Sequence, residues 1–354
     1  MDHTKKSTYL FSIDALRVIA ILAVIMIHVS TKTLSMQKLN VETGTLTLIL
    51  NQTSRFAVPL FFLISGFVLE LNNKNNLSFV SFFKRRASRI ILPFLFWSSL
   101  YFLIGRNFDP TTLASSKFFW TAILGTASYH LYFIPTLILF YLAFPILHTQ
   151  RKILQNPIAL SAIFILQGYL LYQDYYIQTW RIQYDLRIAL LSFSMFILGM
   201  VASHYPSQIY AFVKKYATLL IFFLISLLLF INIHVYDMTL KLKTSRFIYN
   251  QFSPLNYLYT VVVASTLFYI LEKTQFMKKW FMTLSKLSLF VFFIHVLIQN
   301  IVWDNILMHV VAKNGIHFFF FFWFDLTVFL TISLISFTIA YLVHKIPYAS
   351  KITG

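Results

Sequence analysis

The sequence contains no cysteine. Disulfides, thiol catalysis and a thiolate metal site are therefore excluded. Acidic residues are scarce: 11 Asp and Glu face 29 Lys and Arg, for a formal net charge of +18. Charged residues make up 11% of the chain and hydrophobic residues 58%, whereas a soluble domain carries about 25% charge. That excludes an ordinary soluble globule and points to an all-α, polytopic membrane protein. Glycine and proline number only 8 and 9. There is no Gly-rich phosphate loop, no Gly-x-Ser-x-Gly elbow and no His-Glu-x-x-His metal motif. The signal-peptide pattern is missing too, because the first apolar segment carries Asp14 and Arg17 and ends in His28 without a small-residue cleavage site. No repeat of fixed period is seen, so an inverted-repeat transporter is not indicated.

What the chain does have is long apolar runs. Ten spans are expected, at roughly 10–32, 47–70, 89–106, 129–149, 157–173, 187–203, 217–235, 254–271, 285–303 and 319–343. Each is about long enough to cross ~30 Å of hydrocarbon as a helix. Segment 110–125 is semi-apolar and reads as a re-entrant or interfacial piece. Basic residues gather in cytoplasmic loops. Lys84, Arg85, Arg86, Arg89, Arg151, Lys152, Lys214, Lys215, Lys278 and Lys279 then lie inside if the N-terminus does. With an even number of spans, both termini are cytoplasmic. The positive charge is explained by this bias, and no soluble face is left for nucleic acid. Residues 1–354 read as one transmembrane domain.

The stretch DALRVIAILAVIMIH, residues 14–28, sets three ionisable side chains in an apolar helix. At ~100° per residue, the eleven-residue step from Arg17 to His28 overshoots three turns by only ~20°. Asp14 lies one turn below Arg17 on the same face. Charges in hydrocarbon cost at least ~2.5 kcal/mol each on insertion scales, so this stripe should face protein or a water-filled cavity. Histidine is the usual general base near neutral pH. A histidine bonded to a neighbouring carbonyl with no other role is the plain alternative, weakened by the aligned Asp14 and Arg17.

Other candidates carry weaker signals. In SRFAVPLFFLISGF, residues 54–67, Arg55 precedes Pro59 by one turn, and either faces inward or snorkels to the outer interface. Ser65 and Gly66 read as helix-packing residues. Arg86 and Arg89, three apart, present two guanidinium forks suited to phosphate oxygens, although the cytoplasmic bias alone would place basic residues there. His130 opens the fourth span and His295 sits deep in the ninth. Asp325 lies early in the tenth, with no partner evident from sequence.

Taken in order, these segments resemble the acyltransferase-3 family of integral membrane acyltransferases. Its first-helix Asp-x-x-Arg followed by ten residues and a His is matched by Asp14, Arg17 and His28. Pro59, Phe61, Phe62, Ser65 and Gly66 match the second-helix pattern. Arg86 and Arg89, with Pro93 following, match its Arg-x-x-Arg. HLYF at 130–133 matches an HLWF-like motif, with Tyr132 where Trp is commoner, and Ser288, Phe292 and His295 match a late Ser-x-x-x-aromatic-x-x-His. The chain resembles short members that lack an appended SGNH domain.

The resemblance implies an O-acyltransferase of the bacterial cytoplasmic membrane. Acyl-CoA, acetyl-CoA first, would bring its phosphates to Arg86 and Arg89. His28 would be the catalytic base, with Arg17 and Asp14 in the same channel. Arg55, His130 and His295 would bind substrate, a hydroxyl of a surface or lipid-linked glycan. No metal is expected. Membrane lipids and separate glycan-synthesis proteins are the other partners. The competing reading is a polysaccharide export protein of a surface-glycan or biofilm system.

Overall fold

The structure, a computed structural model, describes residues 3–36, 41–73, 78–177, 184–242, 250–309 and 323–347. The first residues of the expected tenth span, 319–322, lie outside them. Among the described residues the chain is helical, with turns between the helices. In order these are α1 (His3–Met36), α2 (Val41–Thr53), α3 (Ala57–Asn73), α4 (Phe79–Arg86), α5 (Leu92–Ile104), α6 (Ser116–Leu124), α7 (Phe133–Thr149) and α8 (Arg151–Leu154). There follow α9 (Pro157–Tyr172), α10 (Tyr184–Ala202), α11 (Pro206–Lys215), α12 (Ala217–Leu242), α13 (Pro254–Thr274), α14 (Lys278–Val302) and α15 (Phe324–His344).

Seven stretches among the described residues are long and apolar enough to cross a membrane: Phe11–Ser35, Leu46–Asn73, Phe79–Ile104, Ala217–Thr239, Pro254–Thr274, Lys278–Asn305 and Phe324–His344. Leu186–Ala202 and Pro206–Lys215, bent by 100° at their junction, make an eighth if taken together. α7 and α9 fall on the expected fourth and fifth spans but have only 17 and 16 residues, shorter than the ~20 that a spanning helix needs.

The third stretch starts at Phe79, ten residues before the expected 89. The basic cluster does not stop the helix, because Lys84 and Arg85 point outward while Phe82 beneath them is buried. Segment 110–125 resolves into a 3-10 turn, Pro110–Ala114, and the nine-residue α6. At 1.5 Å per residue, α6 is about 14 Å long and cannot cross alone. Local chemistry fixes its ends. Asp109 caps the turn, and hydrogen bonds from Thr111 hold its carboxyl below the usual range. Ser115 accepts from Phe118 N to cap α6, and Gly125 ends it at φ +64°, a conformation glycine takes without steric cost.

The chain forms two compact units, residues 1–64 with 205–339, and residues 65–204 with 340–354. In the first, α1 is central, with α14 running along it and α2 and α13 beside it, and α12 packs on α2 and α13. α12 leaves Leu219, Phe222, Ile225, Leu229, Phe230 and Ile233 exposed, as a helix bounded by lipid does. At one end of this unit the Thr33 hydroxyl donates to Asp325 Oδ1 at 2.6 Å, and Thr47 donates to Oδ2. Asp325 therefore ties the start of α15 to α1 and α2.

In the second unit α10 packs on α7 and α9. Gly66 of α3 approaches α10 so closely that an added Cβ would lie 2.0 Å from the Phe196 carbonyl oxygen. This is the packing role read for Gly66 from sequence.

Candidate active site

The three ionisable residues of α1 meet α14 in register. Arg17 Nη1 donates to Asp14 Oδ1 at 3.1 Å and to Ser285 Oγ at 2.8 Å, and Ser285 Oγ donates to Asp14 Oδ1 at 2.8 Å. The triangle closes on itself, so Asp14 is the ion-pair partner of Arg17. Both side chains keep about a quarter of their surface accessible, 28% and 27%. Eleven residues on, His28 is also partly accessible. Between them on the same face, Ile21 and Ile25 are fully buried and Val24 nearly so. The stripe is thus accessible at both ends and sealed in the middle, not open along its length.

α14 faces it with Ser285, Ser288, Phe292, His295 and Gln299, spaced three and four residues apart in the heptad manner that keeps one seam against a neighbouring helix. His295 is fully buried, and its ring lies 5.3 Å from that of His28 at 27°. Its Nδ1 is 3.0 Å from the Val291 carbonyl, so the proton sits on Nδ1 and donates there. One turn further, Gln299 Nε2 donates to the backbone carbonyl of His28 at 3.1 Å.

Arg55 lies in the break between α2 and α3 and is 7% exposed. Of the two readings open from sequence, the inward one is observed. Its Nε and Nη2 both donate to Asn51 Oδ1, at 2.9 and 2.7 Å, and Nη1 donates to Gln251 Oε1 at 3.1 Å. Asn51 Nδ2 in turn donates to Ser30 and Thr31 of α1. Pro59 explains the position of the break. It has no N–H to give the Arg55 carbonyl, and Asn256 Nδ2 takes that carbonyl instead at 2.9 Å. Asp14, Arg17, His28, Arg55 and His295 are therefore all brought into the first unit.

Arg86, Arg89 and His130 belong to the second unit. The Arg86 guanidinium lies 5.7 and 5.3 Å from the Phe82 and Tyr141 ring centres. Arg86 is half-buried, with its Nε inaccessible and without a hydrogen-bond partner among the described residues, whereas Arg89 is exposed. Arg89 lies within a π-helical turn, Ala87–Ile91, that begins directly after Arg86. Pro93 cannot donate to the Arg89 carbonyl, and the Leu92 N–H reaches back to Ala87 O. His130 is buried, with Nδ1 3.1 Å from Ser128 Oγ and its ring edge-on to Tyr101 at 5.4 Å.

Sequence reasoning missed Asn51, Gln251, Ser285 and Gln299, which hold the candidates in place. It also missed a polar cluster in the second unit. Glu70 is fully buried, and its two carboxylate oxygens lie 2.7 Å from His148 Nδ1 and 2.9 Å from His204 Nε2. Arg151 Nη1 lies 3.1 Å from His148 Nε2. Guanidinium only donates, so Nε2 accepts and Nδ1 carries the proton given to Glu70. Among the described residues no group of three or more His, Cys, Asp or Glu is placed to hold a metal ion.

The acyltransferase-domain model of the acyltransferase-3 family matches residues 10–345. No curated protein and no solved structure matches the chain. With nearly its whole length covered by that match, the chain belongs to the acyltransferase-3 family of membrane proteins.

Proposed function

We propose that this membrane acyltransferase moves an acyl group, acetyl or succinyl, from cytoplasmic acyl-CoA to a hydroxyl of a surface or lipid-linked glycan at the bacterial cytoplasmic membrane. The observation that carries the reading is His28: a partly accessible imidazole on a central helix, held from behind by α14. His28 takes the proton of the acceptor hydroxyl, and the oxygen attacks the thioester carbonyl. The C–S bond breaks, and the leaving thiolate takes the proton back from the His28 imidazolium. One centre then serves both half-steps, and no cysteine is called for.

Arg55, linked to α1 through Asn51, stabilises the oxyanion that develops on the carbonyl. Arg17, locked to Asp14 and Ser285, marks the cofactor's end of the stripe. Ile21 and Ile25 must give way for a thioester to pass from one end to the other. Arg86, followed by the exposed Arg89, binds the CoA phosphates. His130 contacts the acceptor, and separate glycan-synthesis proteins deliver it.

The test is mass spectrometry of surface glycans from cells with the gene, without it, and with His28→Ala. The reading requires an acyl mass increment that disappears in both altered strains while the glycan still reaches the surface. Glycan retained inside the deletion strain, with its ester content unchanged, would make the chain an exporter.

A further inference from the structure

We propose that His295 is a positioning residue for His28, and that its ring stabilises the imidazolium that His28 becomes during transfer. The inference rests on His28 acting as the general base. Three observations carry it. First, exposure separates the two rings: His28 is partly accessible and His295 is not accessible at all. His295 is therefore the ring behind the base, not the one that meets substrate. Second, the His295 Nδ1–H is spent on the Val291 carbonyl, 3.0 Å away and one turn back on its own helix. That bond fixes the azimuth of the ring and the tautomer. Third, the ring so fixed is stacked with that of His28, 5.3 Å between centres and 27° between planes.

A cation within ~6 Å of an aromatic face is attracted to it, the more so where water is excluded. The attraction is absent while His28 is neutral and present once it is protonated, so it favours the transition state over the ground state. Gln299, on the same helix, holds the His28 backbone carbonyl. α14 thus fixes the base at its backbone and at its ring.

The experiment compares His295→Phe, which keeps an aromatic face, with His295→Leu, which fills the space without one. Membrane vesicles prepared from the source cells, with their own surface glycans and lipid-linked sugars, receive acetyl-CoA or succinyl-CoA, and released thiol is read against the His28→Ala background. Rates are expressed per mole of folded protein from gel filtration in detergent. His295→Leu should lose about 3- to 30-fold in kcat with little change in KM for the donor, the range that loss of such an attraction gives. His295→Phe should recover most of it. If His295→Leu does not accumulate, His295→Met supplies the ring-less comparison.

A purely structural role would leave Phe and Leu alike, and equal loss in both overturns the inference, as does full kcat in His295→Leu. Wild-type vesicles that release no more thiol than His28→Ala vesicles from either donor would overturn the general-base reading itself.

Discussion

One oxygen of Asn51 accepts two hydrogen bonds from the guanidinium of Arg55, 2.9 Å from Nε and 2.7 Å from Nη2. The charge is buried, and the side chains that accept from it at Asn51 and Gln251 are neutral amides, so the geometry of the fork is what this contact contributes. Hydrogen bonds to a charged group contribute ~1.5–3 kcal/mol each, and orphaning a buried one costs its desolvation. Asn51→Ala should therefore lower the thermal unfolding midpoint in detergent more than Arg55→Ala does, because it leaves the cation behind. The double variant should show a coupling energy of about 1–3 kcal/mol. Strictly additive single effects would mean that the pair does not act as a unit.

Two glycines give opposite expectations for the same substitution. A Cβ on Gly66 would meet the Phe196 carbonyl oxygen at 2.0 Å and the Met200 nitrogen at 3.2 Å. Both are backbone atoms and cannot rotate away. Gly66→Ala should destabilise by about 1–3 kcal/mol or more, the range of overpacking. Gly168, inside α9, has nothing within 4 Å of such a Cβ. Gly168→Ala should be neutral or stabilise by up to ~1 kcal/mol through helix propensity. Unfolding midpoints of the two variants that move in the same direction would contradict this reading of the α3–α10 contact.

How much of this was legible in the sequence follows from how local each feature is. The shared face of Asp14, Arg17 and His28 needs only the helical period, and the long apolar runs need only hydropathy. The polar seam of α14 was half legible. Ser288, Phe292 and His295 stand at heptad spacing, yet nothing in the sequence says that α1 is what they face. Asn51 and Asn256 were not legible, because a buried amide and a surface amide look alike until the partner carbonyl or guanidinium is in place. Glu70, His148 and His204 each lie at the end of an apolar helix, where a polar residue usually marks only the boundary. The wide turn after Arg86 needed knowledge of which carbonyl Pro93 leaves without a donor.

The Glu70 cluster yields a graded prediction. Glu70→Ala orphans the N–H groups of His148 and His204, at ~1–3 kcal/mol per buried donor, for a loss of about 3 kcal/mol. Glu70→Gln keeps one carbonyl oxygen for His148, whose tautomer Arg151 holds fixed. Its amide N–H₂ then faces His204, which answers by moving its proton to the other nitrogen. The loss should be about 1 kcal/mol. Unfolding midpoints in detergent rank the two, and Gln no better than Ala would show that the negative charge, not the bonding pattern, holds the cluster together.

Arg86 and Arg89 occupy different settings, and their variants should differ accordingly. The half-buried Arg86 guanidinium lies against the Phe82 and Tyr141 rings, which restrict it. Arg89 is exposed, and a contact there is screened by water and salt. Calorimetric titration of the detergent-solubilised protein with CoA should therefore show Arg86→Ala weakening binding by about tenfold or more, as for loss of a charge-assisted contact. Arg89→Ala should weaken it by about fivefold or less. Tyr141→Leu should loosen Arg86 and take back part of its contribution without removing the charge. Equal, salt-insensitive losses at Arg86 and Arg89 would show that their difference in burial does not set the two guanidiniums apart, and unchanged CoA binding in the double variant would remove both from the proposed cofactor site.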